Sequence, residues 1–77
     1  MTAEVVHSVF ADVLSLEPPI DWSSIKYREV EGWDSLAHMA IVAELEDQLG
    51  IMLETDDIID MSSVERTIEI LGKYESA

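Results

Sequence analysis

The chain has no cysteine, so it has no disulfide framework, no thiolate metal site and no thiol nucleophile of its own. Cations are nearly as scarce. Four Lys or Arg stand against 17 Asp or Glu, for a formal net charge of -13 over 77 residues. Such a surface repels phosphate, which argues against nucleic acid and anionic membranes as partners and for a protein partner with a basic patch. No apolar run is long enough to span a membrane, and the N-terminus lacks a basic-then-apolar signal. A cytoplasmic protein is therefore expected. There are no internal repeats and no low-complexity tract. What is present is 48% hydrophobic residues, enough to fold but only around one small core. One domain over residues 1–77 is expected, and the start at Met1 without linker-like ends favours a free-standing protein.

Periodicity divides the chain into helices. Thr2 is read as the N-cap of a first helix whose stripe is Val5, Val6, Val9, Phe10, Val13 and Leu14. Glu4 suits its positive end. His7 lies beside the stripe and reads as a partly exposed surface histidine. The helix is expected to end near Leu16, before Pro18-Pro19. Glu17 to Trp33 then forms a loop, long for so small a chain. Ile20, Trp22, Ile25, Tyr27 and Val30 are spaced as anchors that pin it to the helices, and Asp21-Trp22-Ser23-Ser24 fits one short helical turn. Lys26 and Arg28 sit among acids and read as local charge partners. Gly32 permits a tight backbone, Asp34 caps a second helix from Ser35 to about Leu49, and Gly50 stops it.

The second helix carries two apolar strips. Ile41, Val42, Leu45 and Leu49 suit a core. Leu36, Met39, Ala40 and Ala43 form another that begins beside Ser35 and continues into Glu46 and Asp47. This second strip fits either a docking face or a helix buried on two sides. After Ile51-Met52-Leu53, an acidic stretch with Thr55 as cap fits a short helix from Asp56 to about Asp60. Ser62-x-x-Glu65 has the form of a capping box and opens a last helix with Val64, Ile68 and Leu71 inward and Ile70 and Tyr74 flanking. Lys73 complements its C-terminal dipole, and Glu75-Ser76-Ala77 is expected to fray. Three longer helices, one short one and no strand pattern predict an all-α four-helix bundle with a long first loop.

Eight acids between Asp34 and Asp60 (Asp34, Glu44, Glu46, Asp47, Glu54, Asp56, Asp57 and Asp60) are interrupted by no Lys or Arg, which favours a recognition surface over a merely solvated face. They lack the ligand spacing and glycine of an EF-hand, so no specific metal site is expected. Asp34, Ser35 and His38 invite comparison with a catalytic triad. One helical turn cannot supply a separately buried orienting acid, an oxyanion hole and a pocket, so a hydrolase is not expected. An exposed hydroxyl at a helix N-terminus does suit a phosphodiester, which free N–H groups and the dipole stabilise.

Gly32-Trp33-Asp34-Ser35-Leu36 followed by Ala37-His38-Met39-Ala40-Ile41-Val42-Ala43-Glu44-Leu45-Glu46 resembles an acyl carrier protein. The Asp-Ser-Leu triplet is unspecific alone. Its placement at mid-chain of a small acidic helical protein, after a long first loop and before a short acidic helix, makes it informative. The resemblance extends from about Thr2 to Tyr74. It implies that a separate phosphopantetheinyl transferase, using coenzyme A and magnesium, attaches 4'-phosphopantetheine covalently to Ser35, with Asp34 helping to orient that reaction. The arm's thiol would carry acyl groups as thioesters. Leu36, Met39, Ala43, Glu44 and Asp47 match positions the family uses to meet partner enzymes, while Ile58 and Met61 would shape an apolar cleft or its mouth. Bacterial fatty-acid carriers usually have a more acidic helix after the serine, and often alanine where this chain has Trp33. Uncharged Ala37, His38 and Ala40 point instead to a specialised carrier serving polyketide, nonribosomal peptide or related synthesis. The expectation is a monomeric, non-enzymatic carrier that serves acyl-loading and acyl-processing enzymes with basic docking patches. The alternative is a small acidic helical adaptor that binds basic partners without a prosthetic group.

Overall fold

A computed structural model describes residues 2–75. Four α-helices appear in the order expected: α1 (Thr2–Leu14), α2 (Ser35–Leu49), the short α3 (Thr55–Asp60) and α4 (Val64–Glu75). The described residues contain no strand, only an isolated antiparallel bridge between Lys26 and Ser63. Ser76 and Ala77 of the expected frayed end lie outside the described residues, and Glu75 is the last residue of α4.

α1 is the helix on which the others assemble, packing against both α2 and α4. Its stripe buries Val6, Val9, Phe10 and Leu14, with Val5 and Val13 half-buried at the margins. The described helix starts at Thr2 itself, whose buried hydroxyl has no hydrogen-bond partner among the described residues and so does not cap it there. At the other end the Leu16 N–H closes back on the Ala11 carbonyl at 3.0 Å. α2 contributes Ile41, Val42 and Leu45 to the core, with Leu49 half-buried. Its ends follow the sequence. The Asp34 carboxylate accepts from Ala37 N at 2.9 Å, and Gly50 takes the left-handed φ of 64° that a glycine tolerates best.

The long loop is held by ordinary means. Ile25 is buried, while Ile20, Trp22, Tyr27 and Val30 pack half-buried against the core. Trp22–Ser24 form a short 3-10 helix capped by Asp21, and the Trp22 ring stacks on His7 at 4.2 Å. Tyr27 N donates to Ser62 O and Val64 N donates to Ile25 O, stitching the loop to the segment before α4. Lys26 and Arg28 do not act as charge partners: both are exposed, and the ion pairs among the described residues join Arg66 to Asp60 and Glu69, and Lys73 to Asp57. Backbone bonds already hold the loop, and an exposed pair gains little against solvent screening.

The short helix includes Thr55, with Glu54 before it and no side-chain cap. At α4 the cap is Ser63 rather than Ser62. The Ser63 hydroxyl accepts from Arg66 N at 2.9 Å, because the Val64 N–H is already committed to the first loop. The one-residue shift replaces the reciprocal Glu65 with Arg66, which turns to Asp60 instead. Ile70 is buried and Ile68 half-buried, the reverse of the expected order, with Thr67 filling the inner face through a bond to Ser63 O at 2.8 Å.

α3 is fastened to α4 at Asp57. Its carboxylate accepts from the Tyr74 hydroxyl and from Lys73 Nζ, the latter at 3.0 Å. The Tyr74 bond first, then Lys73, holds Asp57 below its ordinary pKa of 3.8, and the same bond raises Tyr74 above 10.0. A depressed carboxyl contributes stability that is complete above the unfolded value and lost as pH falls through the folded one. A raised phenol contributes stability that is complete below its unfolded value and lost as pH rises. Tyr74→Phe is therefore expected to bring the Asp57 carboxyl back toward 3.8. Carbon-detected NMR titration of the side-chain carboxyl checks this, and an unchanged midpoint would contradict it.

Candidate functional site

The first turn of α2 presents Ser35 to solvent. Its hydroxyl lies 3.2 Å from the Tyr27 hydroxyl, so the long loop supplies the serine's neighbour as well as the preceding cap. Asp34 has one carboxylate oxygen on Ala37 N and its carbonyl on His38 N at 2.8 Å. The Ser35 and Leu36 N–H groups, the first of the helix, are left to solvent or a ligand.

Beside the serine is a cleft of about 330 Å³. Tyr27, His38 and Ser62 give it polar edges, and Met39, Ile58, Ile59 and Met61 make the remainder apolar. Ile58 is half-buried in its wall. Met61 is 1% exposed, so it can meet a ligand inside the cleft but not a protein on the outer surface.

His38 joins the cleft to the core. The Trp33 indole N–H donates to His38 Nδ1 at 3.0 Å, and His38 Nε2 lies 2.8 Å from the Ile58 carbonyl. Nδ1 accepts, so a neutral ring carries its hydrogen on Nε2 and donates it to Ile58 O. Neither nitrogen remains for Ser35. The contiguous Asp-Ser-x-x-His pattern is thus a structural tie, and the serine has no base with which to act as a nucleophile. Trp33 is 1% exposed and meets the Phe10 ring edge-on at 4.8 Å.

The second apolar strip of α2 is exposed rather than buried on two sides. Leu36 is 82% exposed and Met39 54%, with Ala40 and Ala43 also open. Glu44 and Asp47 are exposed on the same helix, and their carboxylates make no hydrogen bond or ion pair among the described residues. Glu46 departs from this face: its carboxylate accepts from Leu53 N at 2.9 Å and fixes the loop after α2. Ile59, 75% exposed on α3, adds an apolar group across the cleft mouth. No group of three or more metal-ligating side chains is assembled among the described residues, and none of the described helices is long and apolar enough to cross a membrane.

Residues 4–71 match the family described as the phosphopantetheine attachment site. The chain belongs to that family. No curated protein and no solved structure matches it significantly. The family's members are carriers rather than catalysts, with 4'-phosphopantetheine as the covalent prosthetic group, and a carrier necessarily meets a transferase and the enzymes that use it.

Two residues around Ser35 carried a different reading in the sequence. Tyr27 was legible only as a loop anchor, and Trp33 only as a departure from bacterial fatty-acid carriers. Both are aromatic residues close before the serine in a loop otherwise rich in charge, and that is the signal that could have marked them.

The tautomer of His38 is testable directly. Nitrogen-15 NMR of the neutral ring should show the Nε2–H form, and His38→Ala should remove the downfield shift of the hydrogen-bonded Trp33 indole proton. A dominant Nδ1–H form would break this assignment.

Proposed function

We propose that Ser35 is the residue that receives the prosthetic group, and that the chain is a carrier of acyl intermediates for fatty-acid, polyketide or related specialised biosynthesis in the cytoplasm. The observation that carries this reading is the position of one exposed hydroxyl at the start of α2, on the rim of an apolar cleft. The surroundings fit the group. Ser35 N and Leu36 N are free to approach a phosphate at the positive end of the helix. Asp34 is pinned through its cap, which fixes the carboxylate one residue from the hydroxyl, where it can help orient the transferase reaction.

In that reaction Ser35 Oγ would bond to the phosphorus that bears pantetheine. The pyrophosphate bond of coenzyme A breaks, adenosine 3',5'-bisphosphate leaves, and the hydroxyl proton passes to a base of the transferase. The attached group supplies a thiol, which this chain lacks. The protein's own task is to display the arm and to be recognised.

Recognition falls to Leu36, Met39 and Ala43, with Glu44 and Asp47 beyond them. Exposed apolar side chains bordered by unpaired carboxylates suit a partner with a basic, apolar-centred patch. Charge steering speeds encounter and a small contact allows rapid release, as a carrier visiting successive enzymes requires. The arm turns each later encounter into an effectively intramolecular one.

The deciding experiment is intact mass after incubation with coenzyme A, magnesium and a broad-specificity phosphopantetheinyl transferase. A gain of one phosphopantetheinyl group, lost in Ser35→Ala with the helical circular dichroism retained, is the expected result. A gain that survives Ser35→Ala would move the site elsewhere, and no gain with an active control would favour the adaptor. Separately, raising ionic strength from about 0.01 M to about 0.15 M shortens the screening length several-fold, so partner association should weaken markedly. Salt-insensitive association, measured by surface plasmon resonance, would remove the acidic face from recognition.

A further inference from the structure

Tyr27 and Ser35 come from different elements and meet at one pair of atoms. The Tyr27 hydroxyl lies 3.2 Å from Ser35 Oγ and has no other hydrogen-bond partner among the described residues. The residue that carries it is held on several sides. Its backbone N–H donates to the Ser62 carbonyl at 2.9 Å. Its ring meets the Trp33 indole in a T-shaped contact at 5.8 Å, and the His38 ring lies tilted against it at 5.2 Å. Tyr27 is half-buried, so the loop brings its hydroxyl to the exposed Ser35 on a side chain with little freedom of its own.

The pair is built to change roles. Two hydroxyls share one bond, and either can donate. Once Ser35 Oγ is esterified it has no hydrogen, so Tyr27 becomes the donor of the pair. The charged oxygens on the phosphorus then attached to Oγ are better acceptors than a neutral hydroxyl. Two other polar groups at this turn are unsuited to the same task. His38 gives its hydrogen to the Ile58 carbonyl, and Asp34 is an anion bonded to Ala37 N.

Resting on the reading of Ser35 as the attachment point, we propose that the Tyr27 hydroxyl donates to the phosphodiester on Ser35 and anchors the root of the arm. Tyr27 is then a positioning residue. It restrains rotation about the bonds nearest the chain, while the remainder of the arm, with its thiol, stays free to swing. The direction in which the arm leaves α2 is set by the first loop, which gives that loop a use beyond joining two helices.

The test compares the holo forms of wild type, Tyr27→Phe and Tyr74→Phe. Each is made with coenzyme A, magnesium and a broad-specificity transferase, confirmed by intact mass and freed of magnesium with EDTA. Tyr27→Phe deletes one oxygen and keeps the ring. Tyr74→Phe deletes the same oxygen from a residue that does not line the cleft beside Ser35. Phosphorus-31 NMR at neutral pH reads the diester directly. The folded wild type should show a phosphorus shift displaced from its position in urea, with faster transverse relaxation. Tyr27→Phe should lose roughly half or more of that displacement and relax more slowly, because its phosphate has lost a charge-assisted donor. Tyr74→Phe should match the wild type. An undisplaced wild-type signal would overturn the anchor. So would equal shift and relaxation in wild type and Tyr27→Phe, or an equal loss in Tyr74→Phe.

A second readout needs no variant. In wild-type protein with carbon-13 at the tyrosine Cζ positions, loading the arm gives the Tyr27 hydroxyl a charged acceptor. Its Cζ signal should move while that of Tyr74 stays. An unmoved Tyr27 signal would overturn the anchor, whether or not Tyr27→Phe folds or accepts the arm. Failure of the wild type to gain mass would overturn the attachment reading, and the anchor with it. A gain in mass with an unmoved Tyr27 signal would overturn only the anchor.

Discussion

Trp33 is where the chain solves its hardest packing problem. A loop of this length must place its backbone polar groups on solvent or on one another, yet it has to arrive at Asp34 in a fixed position, since that residue caps the helix bearing Ser35. Burying one indole against Phe10 and bonding its N–H to His38 fixes the end of the loop. The Arg28 N–H to Trp33 carbonyl bond, at 3.2 Å, and the stitching to Ser62 and Val64 then hold the remainder. Trp33 is the largest of the fully buried side chains, so the transition from loop to site is part of the core rather than an appendage to it. A small domain has few other ways to make a loop rigid without a disulfide.

The acids divide into two groups by what their neighbours offer. Asp34 is taken up by a helix N-terminus, Glu46 by a loop N–H, Asp57 by Tyr74 and Lys73, and Asp60 by Arg66. Each has a donor nearby that the local fold leaves over. Glu44 and Asp47 lie on the outward side of α2, where no donor is available. The eight acids are thus not one continuous free field: half of them hold the architecture together. Of the other four, Glu44 and Asp47 share α2 with the exposed Leu36 and Met39, a more localised feature than net charge alone conveys, while Glu54 and Asp56 are exposed at the start of α3.

This division explains how much was legible beforehand. The limits of α2 were readable because Asp34, Gly50 and a clear apolar period each act locally. The four-helix architecture followed from the same kind of signal. The cap of α4 was not readable, because Ser62 and Ser63 are equivalent in sequence and a nonlocal bond from Val64 N to Ile25 O decides between them. Ile68 and Ile70 were misordered for a different reason: the buried face runs through Val64, Thr67, Ile70 and Leu71, and the polar Thr67 within it hides that period from a purely hydrophobic pattern. The exposure of the second α2 strip was undecidable from period alone. It depends on α1 packing against the other strip of α2, which leaves Leu36 and Met39 to solvent.

His38 shows why spacing is a poor guide to chemistry in a chain of this size. Its position one turn from Ser35 resembles a base waiting for a proton, but a base needs a free nitrogen. Here one nitrogen receives the Trp33 N–H and the other gives its hydrogen to the Ile58 carbonyl. These bonds tie the first loop, α2 and α3 to one another, so the interaction that shapes the cleft is the one that disarms the histidine. The same two bonds leave Ser35 without an adjacent imidazole to activate it.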